Sequence, residues 1–206
     1  MSQADMEHME RITQMESTAK YQPIYLPGDP ATSVYLLKKG RVRISSLSEE
    51  GKQVIHSILG PGNIFGELSL VDDDGEHDSM AEALEDTLLC IIHKKDFEAF
   101  LESHPQLNLK ITKLMGLRLK QVTSRVQDLV FKTAEQRLES VLQYLSHEHG
   151  ESTPDGKLIS LPLTHQDIGE LTNLARPTVS DLLKRLQEQG KIRMQKRRIV
   201  WLKSAG

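Results

Sequence analysis

The hydrophobic period of this chain changes once, near residue 95, and that change restricts its architecture more than any other feature. Upstream, from about Tyr21 to Ile92, short apolar runs are cut by turn residues. Tyr25-Leu26 runs into Pro27-Gly28-Asp29, and Val34-Tyr35-Leu36-Leu37 ends before Gly40. Val42-Arg43-Ile44-Ser45 alternates like a half-buried strand, and Val54–Leu59 is closed by Gly60-Pro61-Gly62-Asn63. Short strands at this spacing predict an antiparallel barrel or sandwich and not a parallel sheet.

Downstream, Phe97, Phe100 and Leu101 open a helical phase that Pro105 interrupts. Residues 106–131 contain no Pro and only Gly116 as glycine, which suits one long helix. On it Met115, Leu119, Val122, Val126 and Leu129 recur at spacings of 4, 3, 4 and 3. That is an a/d seam about two heptads long, the pattern by which two helices pack along their length. A helix lying on its own domain is the competing reading; the flanking Arg118, Lys120 and Arg125 favour a seam between two copies. Residues 133–149 form a further helix with Leu138, Val141, Leu142 and Leu145 on one face, and residues 150–156 a loop with a turn at Asp155-Gly156. The expected fold class is α+β.

A net charge of −3 argues against a nucleic-acid partner until the chain is divided. Residues 1–104 carry 9 Lys+Arg against 19 Asp+Glu, whereas residues 105–206 carry 17 against 10. A basic C-terminal part on an acidic N-terminal one suits a DNA reader attached to a body that avoids DNA. The single Cys90 rules out an internal disulfide and any four-cysteine zinc or iron–sulfur site; in Leu88-Leu89-Cys90-Ile91-Ile92 it reads as a small buried hydrophobe. No run approaches the ~18 apolar residues of a membrane span, and the acidic start is no signal peptide, so a cytoplasmic protein is expected. Met6, Met9, Ile12 and Thr13 suggest a short amphipathic helix there. The eight histidines are scattered, without a nucleophile partner or metal spacing, so neither an enzyme nor a metal site is expected.

The most informative segment is residues 164–190, THQDIGELTNLARPTVSDLLKRLQEQG. Thr164 is a good N-cap, and Asp167 three residues on complements the first turn of a helix. Ile168 and Leu171 are its apolar positions, Gly169 allows a second helix close approach, and Thr172-Asn173-Leu174 gives the turn. Pro177 suits the first turn of that second helix. Val179, Leu182, Leu183 and Leu186 form its buried stripe, and Gly190 closes it. This is a helix-turn-helix, whose second helix carries Arg176, Thr178, Ser180, Asp181, Lys184 and Arg185 outward to meet base edges. Thr164, Gln166 and Lys184 are assigned to the DNA backbone. Ile192-Arg193-Met194 and Ile199–Leu202 predict two strands around Gln195-Lys196-Arg197-Arg198, a basic wing with Lys196 and Arg197 placed for phosphate contact. A helical hairpin for protein contact is the rival, but cap, turn, stripe and wing stand in the order DNA reading requires.

These motifs resemble the cyclic-AMP receptor protein/fumarate–nitrate regulator (CRP/FNR) family over nearly the whole chain. Gly28–Gly40 is similar to the family's first barrel signature, and Phe65-Gly66-Glu67-Leu68-Ser69-Leu70 to the opening of its phosphate-binding cassette. The resemblance implies a cyclic-nucleotide-binding-type β-roll over 1–104, a dimerisation helix over 105–132, and a winged helix-turn-helix over 133–206. It implies a homodimer on pseudo-palindromic double-stranded DNA, with RNA polymerase as a further partner. Gly66, Glu67, Leu68, His77 and Thr123 fall at the family's effector pocket.

The sequence departs from the family at that pocket. Where nucleotide-binding members close the cassette with Arg and a small residue, this chain has His77-Asp78, and no Arg occurs between Arg43 and Arg118. Asp72, Asp73, Asp74, Glu76 and Asp78 stand there instead, and carboxylates repel a phosphate that needs a fork of donors. The acids read as a solvated loop in preference to a cation site. The adenine-contacting Thr-Ser pair aligns with Val122-Thr123, so half of it is missing. Glu67, the family's ribose-hydroxyl partner, remains. A regulator that works without cyclic AMP is therefore expected, with another effector or none. A cyclic-nucleotide- or haem-responsive regulator of the same family is the alternative, because eight His and seven Met leave axial ligation open. Arg176 stands where the family reads guanine, but Pro177 replaces a base-reading Glu and Asp181 a second Arg. A half-site other than TGTGA is expected.

Overall fold

The computed structural model describes residues 11–71, 75–195 and 198–203, without the side chain of Leu68. The chain divides into two compact units between Leu117 and Arg118. Among its described residues the first contains eight strands: β1 (Thr13–Thr18), β2 (Pro23–Tyr25), β3 (Ser33–Lys39), β4 (Val42–Leu47), β5 (Gln53–Leu59), β6 (Ile64–Phe65), β7 (Met80–Ala83) and β8 (Thr87–His93). They form two antiparallel four-stranded sheets, ordered β1-β8-β3-β6 and β2-β7-β4-β5. Tyr25, Leu37, Val42, Leu59, Phe65, Ala81 and Leu89 make one core cluster. A second cluster of Val34, Cys90, Ile92 and Phe97 lies under helix α1 (Lys94–Glu102). Cys90 is buried, as its apolar run implied. This is the expected β-roll.

β1 and β7 are among the strands that the sequence reading does not place. Of the expected N-terminal helix, Ile12 is helical and Thr13 opens β1; Met6 and Met9 lie outside the described residues. β1 pairs with β8 from Thr13↔Ile92 to Thr18↔Thr87, and its side chains are mostly exposed. Backbone pairing at a sheet edge needs no apolar alternation, so the strand left no periodic signal. β7 is equally faint because Ala81 and Ala83, fully buried between β2 and β4, are small.

Helix α2 (Pro105–Phe131) carries the division between the units. The second unit continues with α3 (Ala134–Glu148), β9 (Gly150–Thr153), β10 (Gly156–Ile159), α4 (His165–Thr172), α5 (Arg176–Glu188), β11 (Ile192–Gln195) and β12 (Arg198–Leu202). Thr133 and Gln136 form a capping box that starts α3. Residues 150–156 are not a simple loop: β9 pairs with β10 from Gly150↔Ile159 to Thr153↔Gly156. β9 is short and polar, again a strand held by its ladder. The sheet order is β11-β12-β10-β9, and Leu138, Leu142, Leu145, Ile168, Leu186, Ile192 and Val200 fill the core beneath it.

Candidate nucleic-acid interface

Helix α4 begins where the sequence predicts, by a reciprocal cap. The Thr164 backbone N–H donates to Asp167 Oδ2 at 2.7 Å, and the Asp167 N–H donates to Thr164 Oγ1 at 3.1 Å. These bonds satisfy amides that a helix start leaves without partners. Asn173 ends α4 in the left-handed conformation at φ 54°. Gly169 is needed for close approach, but to the turn and not to the second helix: a Cβ there would lie 2.5 Å from the Leu174 carbonyl oxygen.

Helix α5 starts without a side-chain cap, with Pro177 in its first turn, where its missing N–H costs nothing. Val179, Leu182, Leu183 and Leu186 are buried. The far end closes in a Schellman motif: Gly190 takes φ 70°, its N–H reaches the Gln187 carbonyl, and the Lys191 N–H reaches Leu186. Arg176, Asp181, Lys184 and Arg185 are exposed on the remaining face, with Thr178 and Ser180 half-buried beside them. Gln166 is exposed on α4 and donates to Glu170 at 3.0 Å. The helix is thus anchored by its stripe, and its N-terminal half presents polar groups that the protein itself leaves largely unused.

The wing extends further than the sequence reading placed it. Gln195 and Arg198 are paired strand residues, not loop, and the hairpin continues to Ile192↔Trp201. Its tip, Lys196 and Arg197, lies outside the described residues. Arg193 pairs with Asp155 at 2.7 Å. Sequence reading passed over His165, whose Nδ1 lies 2.7 Å from Ser180 Oγ; its place directly after the Thr164 cap was the available signal.

Four of the five seam positions on α2 are left largely uncovered by the described residues. Leu119, Val122, Val126 and Leu129 are 68, 58, 55 and 49% exposed, and Met115 is half-buried. Thr123 turns its hydroxyl back onto its own helix, donating to the Leu119 carbonyl at 2.9 Å.

The cassette contrasts with the reading head. Glu67 opens a short 3-10 helix, Glu67–Leu70, after Gly66, where a Cβ would lie 2.7 Å from the Tyr35 ring. His77 is 6% exposed and stacks on Tyr25, ring centroids 3.6 Å apart and planes 5° from parallel. Its backbone exchanges hydrogen bonds with the β2–β3 turn, to the Asp29 carbonyl and from the Gly28 N–H. Among the described residues its Nε2 has no hydrogen-bond partner. Burial pushes the His77 pKa down, against the pull of Asp29 and Asp78, so the ring favours its neutral form. Tyr25 is pushed up by burial and by the Glu67 carboxylate. Tyr35 and Phe65 complete the aromatic cluster, stacked with centroids 5.0 Å apart. Two arginines nearby are engaged: Arg41, just before β4, with Glu85 at 2.9 Å, and Arg43 on β4 with Glu82 at 2.8 Å. Asp72, Asp73 and Asp74 lie outside the described residues. Among those described, no group of three His, Cys, Asp or Glu is placed to hold a metal ion, and no helix is long and apolar enough to cross a membrane.

A β-roll, a long helix and a winged helix-turn-helix in this order define a class of DNA-binding transcription regulator, and comparison with known proteins narrows it. Residues 15–104 match the cyclic nucleotide-binding domain, and residues 136–205 the Crp-like helix-turn-helix domain. The chain is 33% identical over 188 residues to a global nitrogen regulator of Synechocystis, covering 90% of this chain and 83% of that one. It is 30% identical over 186 residues to an anaerobic regulatory protein of Bacillus subtilis, covering 90% and 78%. Among solved structures, a CooA variant from Carboxydothermus hydrogenoformans superposes with a TM-score of 0.80 at 27% identity, over 94% of this chain and 85% of that one. A c-di-GMP-responsive regulator of Xanthomonas campestris shares the fold, with a TM-score of 0.84 at 20% identity over 98% and 100% of the two chains. The chain belongs to the CRP/FNR family of transcription regulators.

Proposed function

We propose that this regulator binds pseudo-palindromic promoter DNA as a homodimer and does so without cyclic AMP. The observation carrying the first part is helix α5, fixed by a buried stripe and closed by a Schellman motif, with Arg176, Asp181 and Lys184 outward. Two such helices about 34–36 Å apart enter successive major-groove segments on one face of the duplex. Arg176 reads guanine bidentately, and Asp181 accepts from a cytosine amine. Thr164, Gln166 and Lys184, with Lys196 and Arg197 of the wing, hold the backbone. The exposed seam Leu119, Val122, Val126 and Leu129 supports α2 as the dimer contact, since a second copy removes this apolar surface from water. RNA polymerase is the further partner of the bound dimer.

The reading without cyclic AMP rests on His77. A cyclic phosphate needs a charged fork of donors, and here the aligned side chain is an imidazole that favours neutrality, buried against Tyr25. Selection of duplexes from a random pool by the full chain, with no nucleotide present, tests the proposal. The expected product is an inverted repeat with a half-site other than TGTGA. A pool that fails to enrich contradicts DNA reading, and TGTGA returned unchanged contradicts the roles given to Pro177 and Asp181.

A further inference from the structure

His165 is the first residue of α4, half-exposed, with its Nδ1 2.7 Å from the Oγ of Ser180 on α5. A serine hydroxyl has one proton to give. Ser180 directs it to the Arg176 carbonyl, at 3.1 Å. With its proton given to that carbonyl, the same oxygen accepts from His165, and Nδ1 carries the hydrogen. A neutral imidazole protonates only one nitrogen, so Nε2 then holds a lone pair and becomes a donor only in the cation. The two ring nitrogens stand on opposite flanks, so holding Nδ1 against α5 turns Nε2 away from that helix. Among the described residues Ser180 is the hydrogen-bond partner of this side chain, and Nε2 has none.

Resting on the DNA-binding reading above, we propose that His165 is a phosphate contact made only in its protonated form. DNA binding then takes up one proton per protomer. Facing a phosphate oxygen, the lone pair of neutral Nε2 repels, whereas the cation donates a charge-assisted hydrogen bond. An arriving phosphate in turn favours the cation. The charged groups within a turn of the pair are Asp167 on α4, tied to Thr164, and Arg176, Asp181 and Lys184 on α5. Helix α3 also packs on α4; its Glu135 and Glu139 are engaged by Gln189 and Lys191, its Glu148 lies beside His147, and its Arg137 donates to the Lys132 carbonyl. None of them contacts His165 among the described residues. Ser180 is thereby a positioning residue, setting which nitrogen is left for DNA.

The test uses the full chain and a fluorescent duplex that it has selected from a random pool. Affinity is measured at about pH 6 and about pH 8, on either side of histidine's ordinary titration. Wild type is expected to bind about tenfold tighter per protomer at the lower pH, up to about a hundredfold for a dimer. Its salt slope there should steepen by about two units for the two added contacts. His165→Asn places an amide donor near the Nδ1 position but has no titratable nitrogen, so it should bind at both pH values with the wild-type affinity of pH 8. Equal wild-type affinity and slope at the two pH values, or full pH dependence surviving in His165→Asn, overturns the proposal while leaving DNA binding intact. No binding by wild type at either pH overturns the DNA-binding reading and this inference with it.

Discussion

The cassette around His77 and the reading head around Arg176 both concentrate polar side chains, and they dispose of them in opposite ways. In the cassette the groups are turned inward: His77 is buried against Tyr25, its Nε2 without a hydrogen-bond partner among the described residues, while Arg41, just before β4, and Arg43 on it pair with Glu85 and Glu82. In the reading head the backbone supplies its own partners, through the Thr164–Asp167 cap and the Gly190 closure, and Arg176, Asp181 and Lys184 remain outside. A polar group committed within its own fold has little left for a ligand, whereas one held outward by a satisfied scaffold is pre-organised for a partner.

The comparison is most severely strained by separating two reading heads. Leu119→Glu with Val126→Glu puts charges on the exposed seam of α2; sedimentation should show monomers, and anisotropy should show duplex affinity falling by about a hundredfold or more. A dimer that survives both charges places the contact elsewhere. Within the head, Arg176→Ala should relax choice at one base pair, a loss of about 1–3 kcal/mol of discrimination read by competition among single-base variants of the site. Thr164→Ala removes the cap oxygen and should lower stability by about 1 kcal/mol in denaturant titration. Lys184→Ala should weaken all duplexes alike and flatten the salt slope by about one unit per contact. An altered base preference in that variant would move Lys184 from the backbone to the bases.

The smallest expected effect belongs to the cassette. Because burial lowers the His77 pKa, the folded chain holds fewer protons there than the unfolded one. The stabilising preference for neutral His77 is complete above the ordinary histidine range and is lost as the pH falls below it. His77→Phe keeps an aromatic ring on Tyr25 but cannot titrate, so it should flatten the acid side of the stability–pH curve and leave duplex affinity near wild type. A fall in affinity comparable to that of the seam variant would show that the cassette still governs the reading head.

Most of the reading head was readable in the residues, because each part of it is local. A cap needs Thr164 and Asp167 three apart, a stripe needs Val179, Leu182, Leu183 and Leu186 at helical spacing, and a closure needs Gly190. What escaped is held by pairing with another segment and leaves no period of its own. β1 and β9 exist through ladders with β8 and β10. The pairing of His165 with Ser180 joins residues 15 apart on two helices and has no sequence period. In the cassette the missing arginine was readable directly, while the stack that occupies its place was not, since Tyr25 and His77 meet only when β2 and the cassette fold together.

The central claim is that the reading heads work without cyclic AMP in the roll. Fluorescence anisotropy of a selected duplex, titrated with the full chain in the absence and presence of saturating cyclic AMP, tests it most directly. Superimposable curves, steepening only as salt is lowered, are the predicted result. A curve that cyclic AMP shifts tenfold or more to tighter binding would contradict it.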